Sequence, residues 1–359
     1  MAAPLPDEAL ARAVRVAFGA RAAIAATELL TGDASSRRYA RLRLTDAVAP
    51  SAIAMVVGVE QRFGPGADEF GGPIDDRELP FVNVARWFAA RGFAVPAVYH
   101  DASATDAVVL LEDLGDTSLW SAASARPADA SALFGTAVDL LVAFQVAGVR
   151  TPDPACRAFR QRFDGRLARW ELEHFVEHGI ETRRGAPLPA DTRRALLADL
   201  EPIAAPFLAD DRVLVHRDFM AWNIHVQDGR LRLFDFQDAL LGPDAYDLAA
   251  LLTDRTTGAL VTPALERSLL ERFVAGRAAA GLPVAGDLAA RYRACALHRA
   301  LKVIGRFYFL ERVLGKPGYL AYLPAVYAVA RRMLDATPAL AEVRARLVVW
   351  VPELAPEAA

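Results

Sequence analysis

The chain has 359 residues, 54% of them hydrophobic and 24% charged, with a formal net charge of −3. That is a globular composition with material for a sizeable core and a length suited to two lobes. The near-neutral balance argues against general binding to nucleic acid or an anionic membrane surface, and unbroken apolar runs such as AIAMVVGV fall far short of the roughly 18 residues of a membrane span.

In chain order, residues 6–18 predict an amphipathic helix that starts at Pro6 and Asp7 and lines up Leu10, Val14 and Phe18 on one face. No positively charged segment precedes an apolar stretch there, so no signal peptide is expected. Residues 21–60 alternate short β-like runs with turns. Tyr39, Leu42 and Leu44 with Ile53, Met55 and Val57 predict a hairpin joined by TDAVAPS. The Gly/Pro/Asp-rich stretch that follows has no periodicity, and its part from Phe63 to Asp76 is given no role. A helix over 78–92 comes next, with Phe81, Val84, Ala85 and Phe88 on one side and Gly92 as its stop. AVPAVYHDA and AVVLLEDLG read as two more strands.

From DTSLW onward the pattern turns helical. Only RVLVHRDF and NIHVQDGRLRLFDFQD interrupt it with strands, the second folded at an Asp-Gly turn. The expected fold class is α+β and bilobal: a small β-rich lobe with one inserted helix (residues 1–113) and a larger, mostly helical lobe (residues 114–359). Cys156 and Cys295 lie far apart without metal-ligand spacing and are read as buried thiols of a cytoplasmic protein. Of 41 basic residues only Lys302 and Lys316 are lysine, so any chemistry that wants a lysine has two candidates.

HRDFMAWN, residues 216–223, directly follows the apolar run VLV. Asp218 and Asn223 lie on a loop between two apolar runs, and Asp235 ends the next strand across the Asp-Gly turn. This pattern is expected to gather two carboxylates and a carboxamide oxygen. Hard oxygen ligands of that kind suit Mg²⁺, which takes one or two protein carboxylates together with substrate phosphates. A spare carboxylate is then free to orient a hydroxyl or take its proton. His216-Arg217-Asp218, Asn223 and Asp235-Phe236-Gln237 also follow the H-R-D, four residues, N, D-F-x spacing of kinases.

With these motifs the chain resembles the aminoglycoside-phosphotransferase-like, protein-kinase-like superfamily, which includes choline and sugar kinases. Within it, GDASSRRYARL, LLEDLGD, HRDF, DFQDALLGPDAYDLAALL and ALKVIGRF look like the bacterial N-acetylmuramate/N-acetylglucosamine anomeric kinases. The resemblance implies an ATP- and Mg²⁺-dependent small-molecule kinase that acts in cell-wall sugar recycling. It makes Asp218 the residue that orients the acceptor hydroxyl, and Asn223 and Asp235 the Mg²⁺ ligands. It makes His216 a brace of the catalytic loop and Asp247 a buried aspartate that holds the loop backbone. Ser35 and Ser36 fall on the phosphate-covering loop, and the backbone of Glu112 and Leu114 on the stretch that meets adenine.

One departure stands out. The strand AIAMVVG lacks the lysine that most kinases use on the nucleotide phosphates. Arg37, Arg38 and Arg41 are near enough in sequence to supply the charge, with Arg38 the first choice. Glu78 is either the partner of such a cation or an ordinary helix-start acid, and Trp222 is either an apolar floor for the loop or a platform for a sugar ring. A nucleotide-binding pseudokinase remains an alternative.

Too few residues separate Asp235 from Asp247 for the activation segment of a protein kinase, so the acceptor is expected to be a small molecule. Arg291 to Lys316 is rich in basic residues and holds one acid, Glu311. His298 and Lys302, with Arg306, recur every fourth position and are read as a face that attracts a neutral or anionic sugar; the other reading is a solvated basic face. Gln237 and Asp238 are expected beside the reacting hydroxyl. An aminoglycoside or choline-like amine is the alternative acceptor. No nucleic-acid or membrane partner is expected, and a monomer is favoured.

Overall fold

A computed structural model of the chain describes residues 5–30, 37–58, 78–208 and 212–356. Contacts divide the chain into two compact units that interleave along the sequence. The first comprises Met1–Thr117, Ala155–Ala158 and Ile224–Asp238; the second comprises Ser118–Pro154, Phe159–Asn223 and Ala239–Ala359. The expected single cut at residues 113 and 114 differs from this division, because later chain segments fold onto the first unit.

The first unit is built on a five-stranded antiparallel sheet with strand order β1-β2-β3-β5-β4. Its strands are β1 (Ala23–Leu30), β2 (Arg38–Thr45), β3 (Ser51–Val56), β4 (Val98–Ala102) and β5 (Val108–Leu111). Alternation along β2 decides what each face does. Ala40 and Leu42, with Ala54, Val108 and Leu110, pack against Leu10 and Val14 of helix α1 (Asp7–Phe18). Tyr39 points the other way, with its ring edge-on to Phe234 at 6.0 Å.

Helix α2 (Pro80–Ala90) is the inserted helix, opened by Pro80 and followed by Gly92 at φ 80. Its buried face carries Phe81, Val84, Ala85 and Phe88, as the sequence predicts. Phe81 stacks on Phe236 at 4.8 Å. The hairpin Ile224–Gln227 and Arg230–Leu233 completes the unit. Its turn has both Asp228 (φ 50) and Gly229 (φ 73) left-handed, the backbone that a two-residue Asp-Gly turn needs to match strand twist.

The second unit is helical around one two-stranded ladder, Val213–Val215 with Leu240–Gly242. Its helices are α3 (Leu119–Ala125), α4 (Ala130–Arg150), α5 (Gly165–His174), α6 (Ala190–Leu200), α7 (Tyr246–Leu252), α8 (Pro263–Ala279), α9 (Leu288–Tyr308), α10 (Leu323–Asp335) and α11 (Ala341–Trp350). Side chains cap the starts of four of them: Ser118 accepts from Ser121 N–H, Asp164 from Leu167 N–H, Thr262 from Leu265 N–H and Asp287 from Ala290 N–H. Helix α4 is long and apolar enough to span a bilayer by composition, yet 56% of its most apolar window is buried inside the protein, as in a core helix. Gly148 near its end lets α4 lie against the VLV strand, since a Cβ there would sit 2.6 Å from Leu214 Cβ. Helices α5 and α9 both continue into π-helical turns, Phe175–Thr182 and Phe309–Val313. Gly305 of α9 approaches the first of these so closely that a Cβ would meet Phe175 Cα at 2.7 Å. Both cysteines are buried thiols outside any disulfide, as expected.

Candidate active site

In the second unit the VLV strand is fully packed and hands the chain to a loop whose first residues are held from several sides. His216 is fully buried, and its ring lies edge-on to Phe219, 5.8 Å between centroids. Arg217 takes the left-handed backbone at φ 76, a conformation that a residue with a Cβ adopts only when its surroundings enforce it. Three anchors do so. The N–H groups of His216 and Arg217 donate to the two oxygens of Asp247 at 2.6 and 3.0 Å. The Arg217 guanidinium donates to Glu171 of α5 at 2.8 Å. The Arg217 carbonyl accepts from Arg299 of α9 at 3.1 Å.

Asp218 follows, its side chain 29% exposed and 3.8 Å from the Arg299 guanidinium. Burial opposes its ionisation, but the charges of Lys302, Arg299 and Arg217 outweigh that and hold its carboxyl below the usual range. Asp218 is therefore a carboxylate at neutral pH, suited to orienting a hydroxyl more than to removing a proton from it early. Asn223 donates its Nδ2 to the Asp218 carbonyl at 2.9 Å, closing the loop. Trp222 stacks on Trp120 at 4.1 Å and donates its indole N–H to Thr256 at 2.8 Å. These contacts fit the floor reading of Trp222.

Asp247 is fully buried, and burial pushes its carboxyl up to about 7 despite the two N–H groups it accepts. Glu171 shows the opposite balance. Burial opposes its charge, yet Lys302 and Arg217 pull its carboxyl down to about 2.

The expected basic face on α9 is corrected here. His298 is fully buried, with Nε2 bonded to the Ala168 carbonyl at 3.0 Å and Nδ1 3.7 Å from Glu171. It is a core residue and offers nothing to an acceptor. Lys302 places its ammonium 3.0 Å from Glu171, so its charge stabilises a buried carboxylate.

In the first unit, Asp235 also has a left-handed backbone, φ 61, and its side chain is 33% exposed. The next residue, Phe236, is buried between Phe81 and Phe88 of α2, which fixes the turn that presents Asp235. Gln237 was expected to face the acceptor; instead it is buried, and its Nε2 donates to Asp235 at 3.0 Å and to Asp238 at 3.2 Å. It bridges the two carboxylates.

Arg37, not the first choice from sequence, is a cation placed 3.6 Å from Asp235. Strand alternation is the reason: Arg37 shares the parity of Tyr39, while Arg38 shares that of Ala40 and Leu42 on the α1 face. Arg41 is buried and held by Asp113 at 2.8 Å and Asp116 at 2.7 Å, and these bonds raise its pKa, Asp116 first. Glu78, just before helix α2, pairs with Arg86 and Asn83 of that helix. That leaves it the helix-start acid of the two readings.

Glu112 exchanges bonds with Ala97 through both its N–H, 2.8 Å, and its carboxylate, 3.0 Å, and it pairs with Arg232 at 2.5 Å. Burial opposes its ionisation, but Arg232 more than compensates and lowers its pKa. Leu114 is buried beside it. Ser35, Ser36 and the 63–76 segment lie outside the described residues.

Sequence reasoning did not single out Glu171 or Arg299, whose partners lie far along the chain. Parity with Tyr39 was the available signal for Arg37.

The set Asp235–Gln237–Asp238 fits a hard cation. It offers carboxylate oxygens, and among the described residues the buried Oε1 of Gln237 has no hydrogen-bond partner. Among the described residues no group of three His, Cys, Asp or Glu side chains is placed to hold a metal unaided. Mg²⁺ needs no such cage, since it completes its shell with water and phosphate oxygens.

Residues 28–288 match the model of the phosphotransferase enzyme family. The N-acetylmuramate/N-acetylglucosamine kinase of Caulobacter vibrioides is 31% identical over 358 residues, which cover 90% of this chain and 92% of the relative. That of Pseudomonas putida is 32% identical over 276 residues, covering 75% and 77%. Among solved structures, a choline kinase from Streptococcus pneumoniae aligns with a TM-score of 0.56 at 17% identity, covering 88% of this chain and 95% of that one. A spectinomycin phosphotransferase bound to ADP and spectinomycin aligns with a TM-score of 0.58 at 13% identity, covering 94% and 99%. Likeness at that identity shows the protein-kinase-like fold.

Proposed function

Because the chain belongs to the phosphotransferase enzyme family, we propose that it transfers the γ-phosphoryl group of ATP to the anomeric hydroxyl of an amino sugar, N-acetylmuramate or N-acetylglucosamine. The observation that carries this reading is Asp218, a partly exposed carboxylate kept ionised by three cations on a loop of enforced geometry. In this reading Asp218 accepts a hydrogen bond from the acceptor hydroxyl, aims its oxygen at phosphorus and takes the proton as the new bond forms. His216 and Asp247 keep the loop in place. Arg37 supplies the positive charge that a strand lysine gives in other kinases, and the backbone of Glu112 and Leu114 receives adenine. Asp235 and Asn223 are the oxygen ligands offered to Mg²⁺, and Asp238 holds sugar hydroxyls. When bound, the metal neutralises phosphate charge.

The surroundings of Asp218 favour a neutral or anionic acceptor, since Lys302, Arg299 and Arg217 all contribute positive charge there. A polycationic antibiotic or a choline-like amine would be repelled by that set. The names of the relatives point to N-acetylmuramate or N-acetylglucosamine as the acceptor, and a role in the cytoplasm on recycled wall fragments is part of what we propose.

A panel of ATP-consumption assays tests the proposal, with N-acetylmuramate, N-acetylglucosamine, choline and kanamycin as acceptors. Turnover is expected with the two sugars. Turnover with choline or kanamycin and neither sugar would overturn the acceptor. Nucleotide binding without turnover of any acceptor would make the protein a pseudokinase.

A further inference from the structure

Arg299 sits near the middle of α9, and its guanidinium is buried. A buried guanidinium must be matched on all sides, and its surroundings are specific. It lies over the Tyr246 ring, 5.7 Å from the centroid. Its Nη1 donates to the Arg217 carbonyl at 3.1 Å and stands 3.8 Å from Asp218 Oδ1. Burial disfavours the charge, but Tyr246, Asp218 and Asp254 more than restore it.

The backbone of Arg217 is thereby fixed on both sides. Asp247 holds the N–H groups of His216 and Arg217, and Arg299 holds the carbonyl that follows. With φ of Arg217 locked at 76, that carbonyl sets the direction in which Asp218 leaves the backbone. The same Nη1 then faces one carboxylate oxygen of Asp218, which selects among its rotamers. Glu171 and Lys302 act one layer further out, on the Arg217 side chain.

We propose that Arg299 is the positioning residue of the phosphoryl-transfer loop, orienting the Asp218 carboxylate through the Arg217 carbonyl and its own charge. The proposal rests on Asp218 as the group that orients the acceptor, and on no particular sugar. A planar guanidinium can meet a carbonyl and a carboxylate together in a fixed plane, and an ammonium holds that geometry less well. Displacing a reacting group by about 1 Å costs on the order of 100-fold in rate.

The test measures ATP consumption by wild type, Arg299→Met, Arg299→Lys and Asp218→Asn, with N-acetylmuramate and with water alone as acceptor. The water reaction keeps the result independent of the sugar assignment. For Arg299→Met, kcat is expected to fall about 10- to 100-fold while KM for Mg·ATP stays within about threefold. Arg299→Lys should recover part of the loss, and methylguanidinium should partly restore an Arg299→Ala variant where equal sodium chloride does not.

A kcat for Arg299→Met within about twofold of wild type would overturn the proposal. So would a loss in which Lys does no better than Met, methylguanidinium has no effect and the thermal midpoint falls in step, because that pattern belongs to a purely structural residue. If Asp218→Asn keeps full turnover, the reading of the loop fails and the proposal with it. If Asp218→Asn is inactive and Arg299→Met is not impaired, Arg299 alone is misassigned.

Discussion

Asp247 accepts the backbone N–H of His216 at 2.6 Å, and its second oxygen takes the next N–H along the chain. One buried carboxylate thus satisfies two donors that no strand or helix reaches. Asp247→Ala would leave both unpaired and should destabilise the chain by about 2–5 kcal/mol. Its carboxyl is raised to about 7 in the folded protein. A raised acid contributes most stability below its unfolded pKa, near 4, and loses it as pH rises through 7. Urea midpoints from pH 5 to 8 should therefore show wild type losing ground to Asp247→Asn up to about pH 7 and holding level above it. A pH-independent gap would refute the assignment.

Glu171 should behave in the opposite sense. Its carboxyl is depressed to about 2, so its stabilising effect is present above about pH 4.5 and fades as pH falls toward 2. Glu171→Gln leaves Arg217 and Lys302 facing a neutral amide and is expected to cost about 3–5 kcal/mol at pH 7. The difference between the two proteins should shrink between pH 4.5 and 3, read by urea unfolding.

Lys302→Ala tests the corrected view of the basic face. Since Lys302 pairs with Glu171, its removal should lower the thermal midpoint. The ratio of kcat/KM for N-acetylmuramate to that for N-acetylglucosamine should stay within about twofold. A selective loss for N-acetylmuramate would return Lys302 to the acceptor.

Arg37 and Arg38 separate two readings of the missing lysine. Arg37→Ala should weaken Mg·ATP binding about 5- to 50-fold, the equivalent of one charge-assisted contact. Arg38→Ala, on the α1 side of the strand, should change it far less. Titration calorimetry with a non-hydrolysable ATP analogue decides between them.

Much of the fold could be read from local signals. The Asp228-Gly229 turn announces a two-residue hairpin, and the spacing of Phe81, Val84, Ala85 and Phe88 announces the buried face of α2. The loop that holds Asp218 and Asn223 is equally visible as charge placed after an apolar strand. What stayed hidden depends on pairing across sequence distance. Nothing near Lys302 or His298 signals that Glu171 waits far back along the chain to receive them. A helical repeat of basic residues looks the same whether it faces water or a buried acid. Arg37 and Arg38 differ by a single parity, a signal that counts only once the face taken by Tyr39 is known. The π-helical turns at 175–182 and 309–313 leave no local mark either.

The interleaving of the first unit has a consequence for synthesis. Its five-stranded sheet ends at Leu111, yet the unit also includes Ala155–Ala158 and the Ile224–Asp238 hairpin. Buried Phe236, which stacks on Phe81, belongs to that late segment. At roughly 5–20 residues per second, the ribosome delivers it on the order of 6–24 seconds after Thr117. During that interval the aromatic face of α2 has no permanent cover. The sheet can pair within residues 23–111, but Phe81 and Phe88 must wait for Phe236 across the whole intervening helical stretch, and a fragment ending at Thr117 would emerge without that cover, open to chaperones or to aggregation.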